Sequence, residues 1–334
     1  MGLYRTLVRP AVFSLPPESG HRVVETLLRV PLPWRAIGGV PRDPRLQVDL
    51  GGVVVANPVG LAAGFDKQAR MLPHLADLGF GFAVAGTFTR RTRAGNPSPR
   101  IVRHPVDEAL VNAMGLPNPG AAVAAARLVR LRRNGPRFAS IADESVEDAL
   151  EVHRLLAPQV DAFELNASCP NVAWGRDRDT EEHLRALVAA LVERSDEPLF
   201  VKLPPVRTQT ELDAVRALAS IARDAGAAGL TCGNTRPVEE PALSVGRGGL
   251  SGRPLLAGTL GAVAAVRAEV GPQAVVQGCG GITTASDLRA CLDAGANAVQ
   301  VYSALIYRGP RIVRDLCRGL LETTPAASAP MPPS

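Results

Sequence analysis

The sequence predicts an α/β fold: a (β/α)8 TIM barrel with an N-terminal two-helix extension and a β-hairpin at the barrel bottom. Three observations carry that expectation. From Asn57 onward, eight short apolar β-like runs alternate with stretches of helical period, the rhythm of parallel strands joined by crossover helices. Polar residues follow most of those runs directly, where the loops at the C-terminal strand ends of a barrel converge on one mouth. A chain of 334 residues, 46% of them hydrophobic, can form such a barrel as one unit with a sizeable core.

The elements follow in chain order. Over residues 3–14, Leu3, Leu7, Val8 and Val12 fall at helical spacing with Arg5 and Arg9 off that stripe. After Pro16-Pro17, a second amphipathic pattern runs over 18–30 through Val23, Val24, Leu27 and Leu28, until Pro31-Leu32-Pro33-Trp34 breaks it. Residues 1–36 are therefore set apart as a helical extension. Leu46 to Ala56 alternates around Gly51-Gly52 and reads as a hairpin. The strand candidates are 58–62, 80–85, 137–142, 160–165, 198–203, 227–232, 273–278 and 297–302. Helical patterns lie at 143–156, 180–194, 209–225, 257–269 and 284–294. The barrel domain spans 37–322, and the Pro-, Ala- and Ser-rich residues 323–334 read as a disordered tail.

Composition narrows the setting. A formal charge of +5 is a modest excess that suits anionic ligands or an anionic membrane face and does not call for nucleic acid. The five cysteines are odd in number and none forms Cys-x-x-Cys, which argues against a disulfide framework or zinc site and fits a reducing compartment. There is no secretory signal, and no run reaches the roughly 18 to 20 uncharged apolar residues of a spanning helix. The expected location is the cytoplasm, or a membrane surface facing it.

The strand ends carry the chemistry. Ala62-Ala63-Gly64-Phe65-Asp66-Lys67 follows the first run, small enough for a flat ring to approach the backbone and ending in a cation. Gly86-Thr87 follows the second. After the fourth comes Asn166-Ala167-Ser168-Cys169-Pro170-Asn171, too polar for a core strand. Its thiol, ordinarily near pKa 8.5 (about), can act as a base where its surroundings stabilise the thiolate. Val201-Lys202-Leu203 puts a lysine in an apolar strand, where it must find an anion. Cys232-Gly233-Asn234-Thr235 ends the sixth run. Two glycine-rich loops, Gly248 to Gly252 and Gly278 to Gly281, complete the set. The second precedes a helix capped by Thr283 or Thr284, and with Tyr302-Ser303 it falls where barrels often hold phosphate. No Gly-x-Gly-x-x-Gly opens a first βαβ unit, which argues against a dinucleotide fold.

Several of these segments resemble the class 2, membrane-associated and quinone-using members of the dihydroorotate dehydrogenase family. They are Asn57 to Lys67, Gly95-Asn96-Pro97 with Pro99-Arg100, Gly248 to Gly252, and Tyr302 with Tyr307-Arg308-Gly309-Pro310. Leu3 to Pro10, with His21-Arg22, is similar to the helical extension of that class. The resemblance implies that FMN contacts Ala63, Gly64, Thr87, Asn166, Lys202, Gly252, Gly281, Tyr302 and Ser303, with Ser140 and Gly233 at two further cofactor positions. It implies that dihydroorotate contacts Lys67, Asn112, Met114, Gly115, Leu116, Asn166, Asn171, Asn234 and Thr235, with Cys169 as the catalytic base. The implied reaction takes a proton from C5 of dihydroorotate and a hydride from C6, giving orotate in pyrimidine biosynthesis. Electrons then pass to a quinone through an apolar tunnel under the extension, near His21 and Arg100, with the protein peripherally bound to the inner membrane.

Three positions depart from the class 2 pattern. Cys169 stands where that class has serine and the soluble class 1 enzymes have cysteine. Ser140 replaces an asparagine, and Gly233 replaces a threonine. Two alternatives follow: a paralogous FMN oxidoreductase acting on another cyclic amide or enone, and a flavin-binding barrel without turnover. The retained Lys67, Cys169 and Lys202 weigh against the last.

Overall fold

The computed structural model describes residues 3–30, 32–142, 145–167 and 179–323. All eight apolar runs form strands, here β1 Val59–Leu61, β2 Phe82–Phe88, β3 Arg137–Ile141, β4 Ala162–Leu165, β5 Leu199–Lys202, β6 Gly229–Cys232, β7 Val275–Cys279 and β8 Ala298–Val301. They pair in chain order, all parallel, and β8 closes onto β1 through Val299–Val59 and Val301–Leu61. The expected helices surround them at Val146–Leu156, Asp179–Val192, Gln209–Asp224, Leu256–Val270 and Ala285–Asp293. Capping boxes at Thr208–Glu211 and Thr284–Asp287 start two of these helices.

The two-residue period of a strand sorts the side chains. One set, including Phe163, Leu165, Val201, Leu230 and Val299, packs outward against the helices. The other fills the barrel in layers. Phe82, Phe138, Phe200, Ala162, Val275 and Ala298 make the bottom layer, sealed by Leu50 and Val55 of the hairpin Val48–Asp49/Val54–Val55. Further along strands β3 to β8 the interior turns polar: Ser140, Glu164, Lys202, Thr231, Gln277 and Gln300 are all buried. An apolar plug therefore lies beneath a polar floor, and the mouth opens above it.

Three features differ from the sequence expectation. Residues 247–252 are a strand, not a glycine loop: Arg247–Gly252 joins Arg236–Glu239, Ala109–Asn112 and Ile101–His104 in an antiparallel four-stranded sheet beside the mouth. Its glycines answer to crowding, since a Cβ at Gly248 would lie 2.7 Å from the Asn112 carbonyl oxygen and one at Gly249 would lie 2.1 Å from Thr235 Oγ1. The first extension helix begins as a π-helical turn, Tyr4–Val8, that runs into Arg9–Phe13, ahead of the helix Pro17–Leu28. The proline-rich break ends that helix and leads into another, Trp34–Gly38. The tail expectation lies outside the described residues except for Thr323, the last residue of the helix Ile312–Thr323.

Candidate active site

A cavity of about 1660 Å³ covers the C-terminal strand ends and runs out beneath the extension. Its wall brings together Ala63, Gly64, Lys67, Thr87, Asn112, Met114, Gly115, Leu116, Asn166, Lys202, Asn234, Thr235, Gly252, Gly281, Tyr302 and Ser303. These come from seven of the barrel's strand ends and from the antiparallel sheet, more than a hundred residues apart in sequence. Cys169 and Asn171 lie outside the described residues.

The polar groups hold one another in place. Asn166 donates from Nδ2 to Thr87 Oγ1 at 3.3 Å, and its Oδ1 accepts from Asn234 Nδ2 at 3.2 Å. Asn234 Oδ1 in turn accepts the Thr235 N–H at 2.8 Å. Asn112 Nδ2 donates to the Gly249 carbonyl at 3.3 Å. Lys67 is the exception: it lines the cavity yet makes no hydrogen bond or ion pair among the described residues. Burial and the nearby Arg100 guanidinium lower its pKa to about 8, against the pull of Glu25, Asp66 and Glu18. Asp66, next in sequence, is spent on the backbone N–H groups of Arg70 and Met71.

Lys202 has found its anion inside the protein. Its Nζ donates to Glu164 Oε1 and to Gln300 Oε1, both at 3.2 Å, in the polar floor. Burial opposes the charge, but Cys279 and Glu164 beside it outweigh that and raise the pKa. Glu164 went unassigned in the sequence, although it stands two residues before Asn166 and so faces the same interior.

At the opposite wall, Gly280 and Gly281 turn at φ +137° and +80°. A Cβ on Gly281 would lie 2.4 Å from Leu256 N, so only glycine lets this turn close on the helix Leu256–Val270. Thr284 is the helix cap, while Thr283 donates to Asp287 Oδ2 at 2.9 Å. Ser303 opens the helix Ser303–Arg308 and pairs with Ser251 Oγ at 3.0 Å. The turns after β7 and β8 thus bring backbone donors and hydroxyls to one end of the cavity, a setting suited to a phosphate.

The profile of the dihydroorotate dehydrogenase family matches residues 45–323. The chain belongs to that family. It is 38% identical to the dihydroorotate dehydrogenase (quinone) of Leifsonia xyli subsp. xyli over 341 residues, 95% of this chain and 98% of that one. It is equally 38% identical to the dihydroorotate dehydrogenase (quinone) of Acidithiobacillus ferrooxidans, over 94% and 93% of the two chains. The crystal structure of DHODH from Eimeria tenella in complex with ferulenol superposes with a TM-score of 0.79 at 31% identity, covering 93% of this chain and 94% of that one.

Enzymes of the dihydroorotate dehydrogenase family are FMN-dependent, and the residues of the cavity suit that cofactor. A flat ring needs small residues on one side and hydrogen-bonding groups at its edge; Ala63, Gly64, Thr87, Asn166 and Lys202 supply them. A phosphate tail needs donors without carboxylates, which Gly280-Gly281 and Ser303 supply.

Two expected cofactor residues are not in the cavity wall. Ser140 is fully buried behind it, its Oγ 2.9 Å from Thr87 Oγ1, where it fixes that hydroxyl. Gly233, at φ +112°, has no room for a side chain because a Cβ would meet the Cys279 carbonyl oxygen at 2.2 Å. The family's threonine does not fit this backbone. Arg100 also stays out of the wall: it binds Glu18 at 2.9 Å and the carbonyls of Ala94 and Asn96. The extension instead contributes His21, packed edge-on against Phe65 at 5.2 Å, with Phe65 against Tyr302 at 5.7 Å. Burial, then the charge of Lys67, drive the pKa of His21 down to about 3, so it is neutral at physiological pH. Sequence reading also missed Asn96, which lines the cavity and donates to the Ala113 carbonyl at 2.9 Å, although Gly95-Asn96-Pro97 had marked the segment.

Proposed function

We propose that this protein oxidises (S)-dihydroorotate to orotate in pyrimidine biosynthesis, with FMN as resident cofactor and a quinone as electron acceptor. The observation that carries the reading is Lys67. An ammonium with no partner among the described residues, in a cavity shared with a linked set of amides, calls for a small anion rich in amide groups. Dihydroorotate is such a molecule: a carboxylate for Lys67, and ring N–H and C=O groups for Asn112, Asn166, Asn171, Asn234 and Thr235. The loop of Met114, Gly115 and Leu116 covers the same side.

In this mechanism Lys67 and the amides orient the ring, and Cys169 accepts the proton from C5. FMN, when bound, would supply the acceptor for the hydride from C6. Lys202 would offer it a positive charge, Thr87 and Asn166 hydrogen-bonding groups, and Gly252, Gly281, Tyr302 and Ser303 would hold the remainder of the cofactor. Closure of the cavity by the extension keeps water from the reacting atoms.

The second substrate enters under the extension. Val8, Val12, Phe13, Val24 and Leu28 line the cavity there, and the ring contacts His21–Phe65–Tyr302 join this passage to the flavin side. Outside, Leu3, Leu7, Leu27, Val30 and Leu32 are exposed, interleaved with Arg5, Arg22 and Arg29. An apolar face fringed by arginines suits peripheral docking on an anionic membrane, here the cytoplasmic face of the inner membrane, where quinone is dissolved. No described helix is long and apolar enough to cross a membrane.

The test is steady-state turnover with dihydroorotate and a soluble quinone. Dihydroorotate-dependent quinone reduction is expected, and a flavoprotein inert to that pair would end the proposal. Flotation with anionic liposomes tests the docking: the full chain is expected to float and a chain lacking residues 1–36 to sediment. Equal flotation would remove the extension from that role.

A further inference from the structure

We propose that Glu164 is a positioning residue for the redox step: from behind the cavity wall it keeps Lys202 charged, with one N–H turned to the cavity side. The inference rests on the FMN reading above and names a residue that reading does not use.

The argument starts from a count of donors. An ammonium has three N–H groups. Lys202 directs one to Glu164 Oε1 and one to Gln300 Oε1, each at 3.2 Å. Both acceptors belong to the polar floor, so these two bonds fix the direction of the third. Cys279, in the cavity wall, takes a hydrogen bond from the same ammonium. Burial raises the Cys279 pKa against the pull of Lys202, and sulfur is a weak acceptor. The N–H held by this weakest of the three acceptors is therefore the exchangeable one, available to a bound flavin.

Glu164 is itself locked. Its Oε2 accepts from Thr231 Oγ1 at 3.0 Å and from Gln300 Nε2 at 2.6 Å, and its side chain is 1% exposed. Strands β4, β5, β6 and β8 each contribute one member, so the network is built by the barrel and not by a loop. Without the carboxylate, Lys202 would be a nearly fully buried cation, and burial alone favours loss of its proton. A neutral amine offers nothing to the negative charge that builds on the flavin during reduction. Among the described residues, the titratable groups facing Lys202 are Glu164 from β4 and Cys279 from β7; Thr231 and Gln300, from β6 and β8, do not titrate.

The experiment measures the midpoint potential of bound FMN from pH 6 to 9.5 in the wild-type holoenzyme, Glu164→Gln, Glu164→Asp and Lys202→Met. Glu164→Gln is expected to fall away from wild type as pH rises and to meet Lys202→Met near the alkaline end. The drop should reflect at least a tenfold loss in preference for the reduced cofactor, about 30 mV for a two-electron couple. Glu164→Asp keeps the charge and should keep the wild-type slope. A Glu164→Gln potential equal to or above wild type throughout, with no break, would overturn the inference. Should Glu164→Gln fail to fold, wild type against Lys202→Met decides: a gap constant to pH 9.5 supports it, and a gap that closes above pH 8 overturns it. A protein that never takes up FMN would overturn the cofactor reading as well, whereas a yellow protein with the wrong pH dependence overturns this inference alone.

Discussion

Lys67 gives a prediction that can be worked through in numbers. Its pKa, lowered to about 8 by burial and by Arg100, leaves it about 90% charged at pH 7 and about 10% charged at pH 9. If its ammonium holds the substrate carboxylate, orotate should bind the oxidised holoenzyme about tenfold more weakly at pH 9 than at pH 7. Orotate affinity isolates this effect, because binding the product needs no base, whereas kcat/KM also reflects Cys169. Lys67→Met should abolish the pH dependence and weaken orotate about 10- to 100-fold, the loss of one charge-assisted hydrogen bond. The same substitution should stabilise the ligand-free protein. The unfolded chain binds Lys67's proton more tightly than the fold does, so below pH 8 the charged lysine costs stability, about 2 kcal/mol after allowance for the solvent reaching it through the cavity. Titration of orotate followed by flavin absorbance, with thermal denaturation of the apoprotein, reads both effects. Orotate affinity flat from pH 7 to 9.5, or a Lys67→Met protein that binds orotate like wild type, would refute the assignment.

Three further perturbations bear on the same site. Cys169→Ala should slow anaerobic flavin reduction by about 100-fold or more, and Cys169→Ser should retain activity with its pH profile moved to the alkaline side; an unchanged rate in the alanine variant removes Cys169 as base. Gly249→Ala puts a Cβ 2.1 Å from Thr235 Oγ1, so Thr235 must shift by roughly 1 Å; KM for dihydroorotate should rise while FMN content stays full, and an unaltered KM would remove Thr235 from the substrate site. His21 is neutral in the fold but binds a proton once released, so between pH 6.5 and about 3 the undocked extension holds more protons and docking weakens as pH falls. At pH 5 the loss is about 2 kcal/mol, readable as faster hydrogen exchange over residues 17–28 than at pH 7.5, and equal protection at both pH values would contradict it.

The barrel was legible because its strands are apolar runs bounded by turns, and burial on both faces erases the alternation that would otherwise blur them. The strand-end rule then located the cavity wall, since Asn166 and Tyr302 follow a strand directly, Lys67 and Asn234 lie in the loops just beyond one, and Thr87 is next to last in β2. What escaped was whatever depends on partners distant in the chain. Gly248 to Gly252 reads as a loop by composition, yet the crowding that selects glycine there comes from Asn112 and Thr235. Ser140 and Gly233 stand at positions that the family resemblance assigns to the cofactor, but one supports Thr87 from behind and the other has its side-chain space filled by a backbone oxygen. Glu164 is the plainest case. A carboxylate within an apolar strand signals a buried partner as clearly as Lys202 does, and reading the two strands together would have paired them.

The most direct test of the account is the anaerobic spectrum of the purified protein before and after addition of dihydroorotate. A yellow protein whose flavin band bleaches on that addition is expected. A colourless protein that refuses FMN, or a yellow one whose band dihydroorotate leaves untouched, would contradict it.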